Sequence, residues 1–301
     1  MKNLLDFPLV YNKDFKLSHI PTDEHIQDIC DIIRERVIQN TLVHNDPHVS
    51  VIFPAYNEEM FLPVMLWTLS QLDTSIPTEI IGVNNASIDR TGEIIERCGI
   101  IRIDEKMKGV SYARQAGLEA AKGEYIGTTD ADTQVPSNWI DANMRYFIED
   151  SELICFSGES TMNNFHSSRE IAFSLLRPGA RFVRFILGIK RDLTVDQAAH
   201  FNEFSGHNMF FKKKEAVQLG GYQAGFDLGE DALMANKLGS LGKIFSLNTD
   251  PGAHVLTSSR RVSNLRGTFE MALTGFLSGG WKSRTRSQPI PDKATTFRDV
   301  R

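Results

Sequence analysis

The sequence predicts an α/β fold built on a parallel sheet, and two observations carry that prediction. Short apolar runs of β-forming residues alternate with stretches whose apolar residues recur at helical spacing, the pattern of βαβ units. The runs also stop abruptly at polar residues. The sharpest case is 125–129, which leads straight into Asp130-Ala131-Asp132. In open α/β sheets, ligands bind beyond the carboxyl ends of the strands. Two carboxylates one residue apart at such an end can hold a hard divalent cation and, through it, a phosphate. An isolated Asp-x-Asp is more often a solvated turn or a helix cap. What gives this one meaning is its company along the chain.

The elements follow in order. Residues 1–47 read as an N-terminal helical extension: Thr22-Asp23-Glu24 starts a helix in which Ile26, Ile29, Cys30, Ile33 and Val37 recur at helical spacing, and Pro47 closes the segment. Residues 49–53 (VSVIF) form a strand, broken by Pro54-Ala55-Tyr56-Asn57, and Phe61, Val64, Met65, Leu69 and Leu72 mark a helix. Residues 79–83 are the next strand, 91–98 a helix and 99–103 a strand. Residues 110–121 carry Ala and Gly on most faces, which suits a helix packed closely on a sheet. After the 125–129 strand come a helix from Pro136 to about Glu149 and a strand at 153–158. Residues 160–204 are less regular. Strands at 208–211, 243–247 and 253–257 and a helix at 231–241 complete the body. Residues 263–281 read as an amphipathic helix, and the polar tail from Ser283 contains Pro289 and Pro291.

Composition removes several function classes. The chain has 301 residues, 41% hydrophobic and 24% charged, ordinary for a globular protein. Lys+Arg 33 against Asp+Glu 38 gives −5, so no basic field argues for nucleic acid. Cys30, Cys98 and Cys155 are odd in number and widely spaced, unlike a disulfide framework or a metal clip, which fits a reducing compartment. The first fifteen residues (MKNLLDFPLVYNKDF) lack the apolar core of a signal peptide. No stretch reaches the ~18–20 apolar residues a spanning helix needs. A cytoplasmic location is the expectation.

Several short motifs occur in a fixed order: Pro54-Ala55-Tyr56-Asn57-Glu58-Glu59; Asn84-Asn85-Ala86-Ser87-Ile88-Asp89-Arg90-Thr91; Lys108-Gly109 with Ala113-Arg114; Asp130-Ala131-Asp132; Gly206-His207-Asn208; Gly220-Gly221-Tyr222; and Gly229-Glu230-Asp231. Each is weak alone; the ordered set, from about Val49 to Arg261, closely resembles glycosyltransferase family 2. The resemblance implies a GT-A-like nucleotide-diphosphosugar transferase fold, with a mixed, mostly parallel sheet flanked by helices. The implied domain is 48–261, followed by a C-terminal helix and polar tail at 262–301. It further implies an inverting, metal-dependent transfer of a sugar from a nucleotide-diphosphate donor to a hydroxyl acceptor, in glycan or glycolipid biosynthesis.

Residue roles follow from the resemblance, and the chemistry explains why these side chains suit them. Pro54, Ala55, Tyr56 and Glu58 form a nucleoside clamp, with Tyr56 against the base and Glu58 accepting a ribose hydroxyl. A capped helix start is the structural alternative for Asn57 and the two Glu residues. Asn85 stands where many family members have an Asp that reads the base. An amide both donates and accepts, so a UDP-sugar is the expected donor without being fixed by this position. Lys108 and Arg114 face the donor, unless they are solvated cations. Asp132 ligates Mn²⁺ or Mg²⁺, with Asp130 and Ala131 beside the ribose or a metal-bound water, and His254 is a further candidate ligand. Arg260 and Arg261, after Thr257-Ser258-Ser259, can bind a phosphate; a surface charge pair explains them equally well. Asp231, with Glu230 beside it, is the expected base for the acceptor hydroxyl. N-capping by acidic residues is the bland alternative.

Competing functions are weaker. A nucleotidyltransferase would need a Gly-rich, basic loop after the first strand, where this chain has PAYNEE. A dehydrogenase would need G-x-G-x-x-G there. A non-catalytic nucleotide-sugar-binding module would be expected to lose the acidic pair, which is present. The acceptor is not legible. Phe269, Leu273, Phe276, Leu277 and Trp281, with Arg266, Lys282, Arg284 and Arg286 around them, suit either packing on the catalytic domain or peripheral contact with the inner face of a membrane.

Overall fold

The computed structural model describes residues 23–163, 204–225, 229–246 and 250–258. Helix α1 (Asp23–Gln39) precedes β1 (Val49–Ala55), α2 (Leu62–Ser70), β2 (Thr78–Asn85), α3 (Thr91–Arg97), β3 (Ile101–Glu105), α4 (Val110–Ala120) and β4 (Tyr125–Thr128). Then come α5 (Trp139–Glu149), β5 (Leu153–Ser157), β6 (Ser160–Asn163), β7 (Met209–Lys212), α6 (Lys213–Gln218), α7 (Glu230–Leu238), β8 (Lys243–Ser246), a 3₁₀ turn at Pro251–Ala253 and β9 (Val255–Ser258). Among the described residues one sheet has seven strands in the order β3-β2-β1-β4-β7-β5-β8. Strand β1 is parallel to both β2 and β4, and β2 to β3. Strand β7 runs antiparallel to β4 and β5, and β8 is parallel to β5. The sheet is therefore mixed and mostly parallel, as the sequence predicts. Strands β6 and β9 form a separate parallel pair.

The sheet is buried on both faces, which is why its central strands read as continuous apolar runs. Alternation along β1 sends Val51 and Phe53 into one core cluster and Ile52 into the other. Leu62, Met65, Trp139 and Phe156 share the first; Ile81, Ala113, Ile126 and Phe211 share the second. Helix α1 is part of the first core, burying Ile26, Ile29, Cys30, Ile33 and Val37 where it meets α2 and α3. There the thiols of Cys30 and Cys98 lie 2.9 Å apart, both buried and free.

Some elements differ from the sequence reading. Strand β3 starts at Ile101 rather than 99 because Gly99 and Ile100 still donate to the α3 carbonyls of Glu96 and Ile95. The 253–257 strand splits into the 3₁₀ turn and β9, with the Asp250 side chain accepting from Gly252 N–H. Strand β6 and helix α6 are additional elements. Among the described residues no helix is long and apolar enough to cross a membrane. The predicted helix at 263–281 and its flanking Arg and Lys residues lie outside the described residues.

Candidate active site

The carboxyl ends of β1, β2 and β4 meet at one edge, with β1 between the other two. Strand order reverses between β1 and β4, the kind of switch point at which open α/β sheets bind ligands. The turn after β1 is stitched to the turn after β2. The backbone N–H groups of Asn57, Glu58 and Glu59 donate to the side chains of Ser87, Thr91 and Asp89 at 3.1, 2.7 and 3.2 Å. Asn57 Oδ1 accepts in return from Ile88 N–H at 2.9 Å. Asn57 and Ala86 both hold a φ of 54°, a left-handed conformation that costs energy outside glycine and is found where a site over-determines its backbone. Contrary to the helix-cap alternative, the side chains of Asn57, Glu58 and Glu59 do not cap the helix that follows. Helix α2 begins only at Leu62, its N-cap is Phe61 and no side chain caps it.

Tyr56 stands at this edge, 44% exposed, and Lys108 reaches it from the loop before α4. Lys108 Nζ donates to the Tyr56 hydroxyl at 3.1 Å and lies 5.0 Å from its ring centroid. The pair presents an aromatic face and a cation together, which suits a nucleobase and the charge attached to it. Glu58 and Ala55 are buried beside it. Pro54 precedes them on β1, half-buried. Asn85 is buried and turned toward the same loop. Its Nδ2 donates to the Met107 carbonyl at 2.6 Å and the Glu105 carbonyl at 3.4 Å, and its Oδ1 accepts from Gly109 N–H at 2.9 Å.

The centre of the site is Arg114. Helix α4 carries it to 2% side-chain exposure, where Nη2 meets Asp130 Oδ1 at 2.8 Å. Its Nε lies 3.3 Å from Glu230 Oε1 and 3.0 Å from Asp231 Oδ1, and Nη1 donates to the Gly206 carbonyl at 3.2 Å. The approach to Asp231 Oδ1 is off the hydrogen-bond direction, so this buried oxygen has the charge beside it but no hydrogen bond among the described residues. Glu230 and Asp231 open α7 behind Gly229, whose φ of 81° is the left-handed region that favours glycine. N-capping does not explain them: the N-cap is Gly229 and no side-chain cap bond forms. Burial pushes the Asp231 carboxyl well above the usual range; Arg114 pulls it down, but Glu230 and Asp130 push it up again. Burial alone would lower the Arg114 guanidinium, and the surrounding carboxylates more than offset that and hold it protonated.

Asp132 and Ala131 follow Asp130, and the next residues are tied to the far end of the chain. Gln134 and Leu256 exchange backbone hydrogen bonds at 2.7 and 3.0 Å, and Thr133 Oγ1 donates to Thr257 Oγ1 at 3.0 Å. This places β9 alongside the carboxylate turn. His254, just before β9, has Nε2 2.7 Å from Thr161 Oγ1 and Nδ1 3.6 Å from Glu159 Oε2. Among the described residues no group of three His, Cys, Asp or Glu side chains is placed to hold a metal. Arg260 and Arg261 lie outside the described residues.

Sequence reasoning missed the residues that bring these segments together. Buried Asn208 accepts from Trp139 Nε1 at 2.9 Å and donates to the Glu159 and Ala253 carbonyls at 2.8 and 2.7 Å. It thereby anchors the segments leading into β6 and β9. Tyr222 is buried, and its hydroxyl has no hydrogen-bond partner among the described residues. Both sit inside motifs visible in the sequence, Gly206-His207-Asn208 and Gly220-Gly221-Tyr222, which was the available signal.

Comparison with known proteins bears on the family and the fold. Residues 50–215, just over half of the chain, match the family described as Glycosyl transferase family 2. The chain is 42% identical over 96 residues to the uncharacterized glycosyltransferase EpsJ of Bacillus subtilis, covering 30% of this chain and 28% of that protein. It is 27% identical over 217 residues to the chondroitin synthase of Pasteurella multocida, covering 70% of this chain and 21% of that protein. The chain thus spans under a third of the length of these curated relatives. In fold it is similar to the mannosyltransferase PcManGT from Pyrobaculum calidifontis, solved with GDP-Man and Mn²⁺ (TM-score 0.52, 18% identity, 82% of this chain and 76% of that one). It is equally similar to glucosyl-3-phosphoglycerate synthase from Mycobacterium tuberculosis, solved with Mn²⁺, UDP-glucose and phosphoglyceric acid (TM-score 0.53, 15% identity, 84% and 85%). With the strand order and the carboxylate-lined edge already described, the match settles the family: the chain belongs to glycosyltransferase family 2 and has the GT-A fold.

Proposed function

We propose that this chain is an inverting glycosyltransferase of glycan biosynthesis, taking a sugar from a nucleoside-diphosphate donor to a hydroxyl acceptor with the help of Mn²⁺ or Mg²⁺. The observation that carries the reading is the meeting of Asp130 with Glu230 and Asp231 around one buried guanidinium. A donor-side carboxylate and an acceptor-side acidic pair are thereby held at one sheet edge, as a single displacement requires.

The residues fit a divalent ion. Asp130 and Asp132 offer hard oxygen donors, and around Arg114 three carboxylates face one cation, an excess of negative charge. Small divalent ions are commonly held by one or two carboxylates, with substrate phosphates and water completing the shell, so the lack of a third described protein ligand is consistent with this use. When bound, such an ion would offset the charge developing on the departing diphosphate. Tyr56 and Lys108 bind and orient the nucleoside, and Glu58 accepts from the ribose. Asp231 takes the proton of the acceptor hydroxyl on Oδ1, the oxygen without a hydrogen bond. Its raised affinity for a proton brings it closer to the operating pH of a general base. The donor assigned first is a UDP-sugar, with GDP-sugars second. The catalytic unit assigned is 48–261.

A thermal-shift screen of nucleotide sugars with and without Mn²⁺ tests the reading. One donor class should raise the melting temperature in an ion-dependent way, by mass action. No shift with any nucleotide sugar, and no nucleoside diphosphate released with simple sugar acceptors, would overturn it.

A further inference from the structure

Arg114 is too deeply engaged to serve a ligand. Its guanidinium addresses three carboxylates and the Gly206 carbonyl at 2% side-chain exposure. The helix that carries it is immobilised. Small residues seat α4 against the sheet: a Cβ at Gly117 would lie 3.2 Å from Val83 Cγ2 and 3.3 Å from Ile52 Cβ. Residue 206 is pressed onto the ion cluster. A Cβ there would lie 2.0 Å from Asp231 Oδ2 and 2.2 Å from Arg114 Nη2. Arg114 therefore connects two parts of the chain that no backbone pairing joins among the described residues, the turn after β4 and the start of α7.

We propose that Arg114 is a positioning residue, which fixes the Asp231 carboxylate at a set place relative to the donor-side Asp130 and does not itself bind the donor. The inference rests on the transferase reading above. The planar fork is what the task demands: one guanidinium presents five N–H groups in fixed directions and reaches all three carboxylates, whereas an ammonium is a point charge. Misplacing a reacting group by about 1 Å costs on the order of 10²-fold in rate. Loss of the fork should therefore appear in turnover and leave nucleotide affinity alone.

The test uses the full chain as Arg114→Lys and Gly206→Ala, with folding checked by circular dichroism. Nucleoside diphosphate binding in Mn²⁺ is measured by calorimetry, and kcat and donor KM by steady-state kinetics. For Arg114→Lys, kcat should fall by about 10²-fold, with nucleotide Kd and donor KM within about threefold of wild type. Gly206→Ala, which displaces the same two side chains, should give the same split, and it decides the matter if Arg114→Lys does not fold. In Arg114→Ala, added methylguanidinium should restore part of kcat where an equal concentration of NaCl does not. Weakened nucleotide binding with kcat intact would overturn the inference and make Arg114 a donor ligand. An inactive wild type that binds no nucleotide sugar would instead count against the transferase reading itself.

Discussion

The Gly109 N–H donates to Asn85 Oδ1 at 2.9 Å, so the amide of Asn85 is spent on holding the loop that opens α4. Its Nδ2 is committed as well, to the Met107 and Glu105 carbonyls. A carboxylate at this position could keep the bond from Gly109 but would face two carbonyl oxygens with nothing to donate. Asn85→Asp should therefore cost about 1–3 kcal/mol of stability, the penalty of stranding buried polar groups. Because Lys108 sits in that loop, donor KM should rise roughly tenfold, equivalent to about 1.4 kcal/mol, with kcat little changed. Thermal melts and donor titrations check this. A donor KM that falls would mean that the side chain reads the base directly.

Asp231→Asn should separate catalysis from stability. Donor binding should survive while kcat drops by about 10²–10⁴, the usual contribution of a general base. Stability should move the other way. The folded pKa of Asp231 is raised, chiefly by burial. Such a group contributes stability that is fully present below its unfolded pKa of about 3.9 and lost as pH rises through the folded value. The wild type loses it progressively as pH rises above the unfolded value, whereas the neutral amide has nothing to lose. In chelator, Asp231→Asn should melt higher than wild type at neutral pH, and the gap should shrink on acidification. A variant that melts lower at neutral pH, with a gap insensitive to acid, would contradict this.

Metal dependence gives a third prediction. EDTA should abolish transfer, and Mn²⁺ or Mg²⁺ should restore it. Asp132→Ala should lose the ion-dependent part of nucleotide binding in calorimetry. Full activity of that variant, or of wild type in excess chelator, would remove the metal from the reading.

The N-terminal helix should be indispensable to folding. Burying Ile26, Ile29, Ile33 and Val37 in the main core contributes about 1.5–3 kcal/mol each. Together this rivals the ~5–15 kcal/mol total stability of a typical domain. A chain starting at residue 48 should be insoluble or unfolded by circular dichroism. A cooperative melt near that of the full chain would show that α1 is dispensable.

The sequence alone determined the elements whose cause is local. Strands β1, β2 and β4 and helix α5 are legible because doubly covered strands are apolar throughout and a packed helix repeats its apolar residues along one face. The acidic motifs at the strand and helix ends are legible in the same way. Strand β6 is not: its four residues, STMN, carry no apolar run, and it exists because β9, almost a hundred residues later, pairs with it. Helix α6, KKEAVQ, is too short to show a period. Arg114 is the clearest instance of what only the tertiary structure decided. In sequence it is one cation on a small-residue helix, as suited to solvent or a diphosphate as to protein. Its partners Asp130, Gly206, Glu230 and Asp231 lie 16, 92, 116 and 117 positions away. Only the packing of α4 and α7 into the same core cluster on one face of the sheet brings those charges within reach, and Coulomb attraction in a buried site then fixes which of its uses a guanidinium takes.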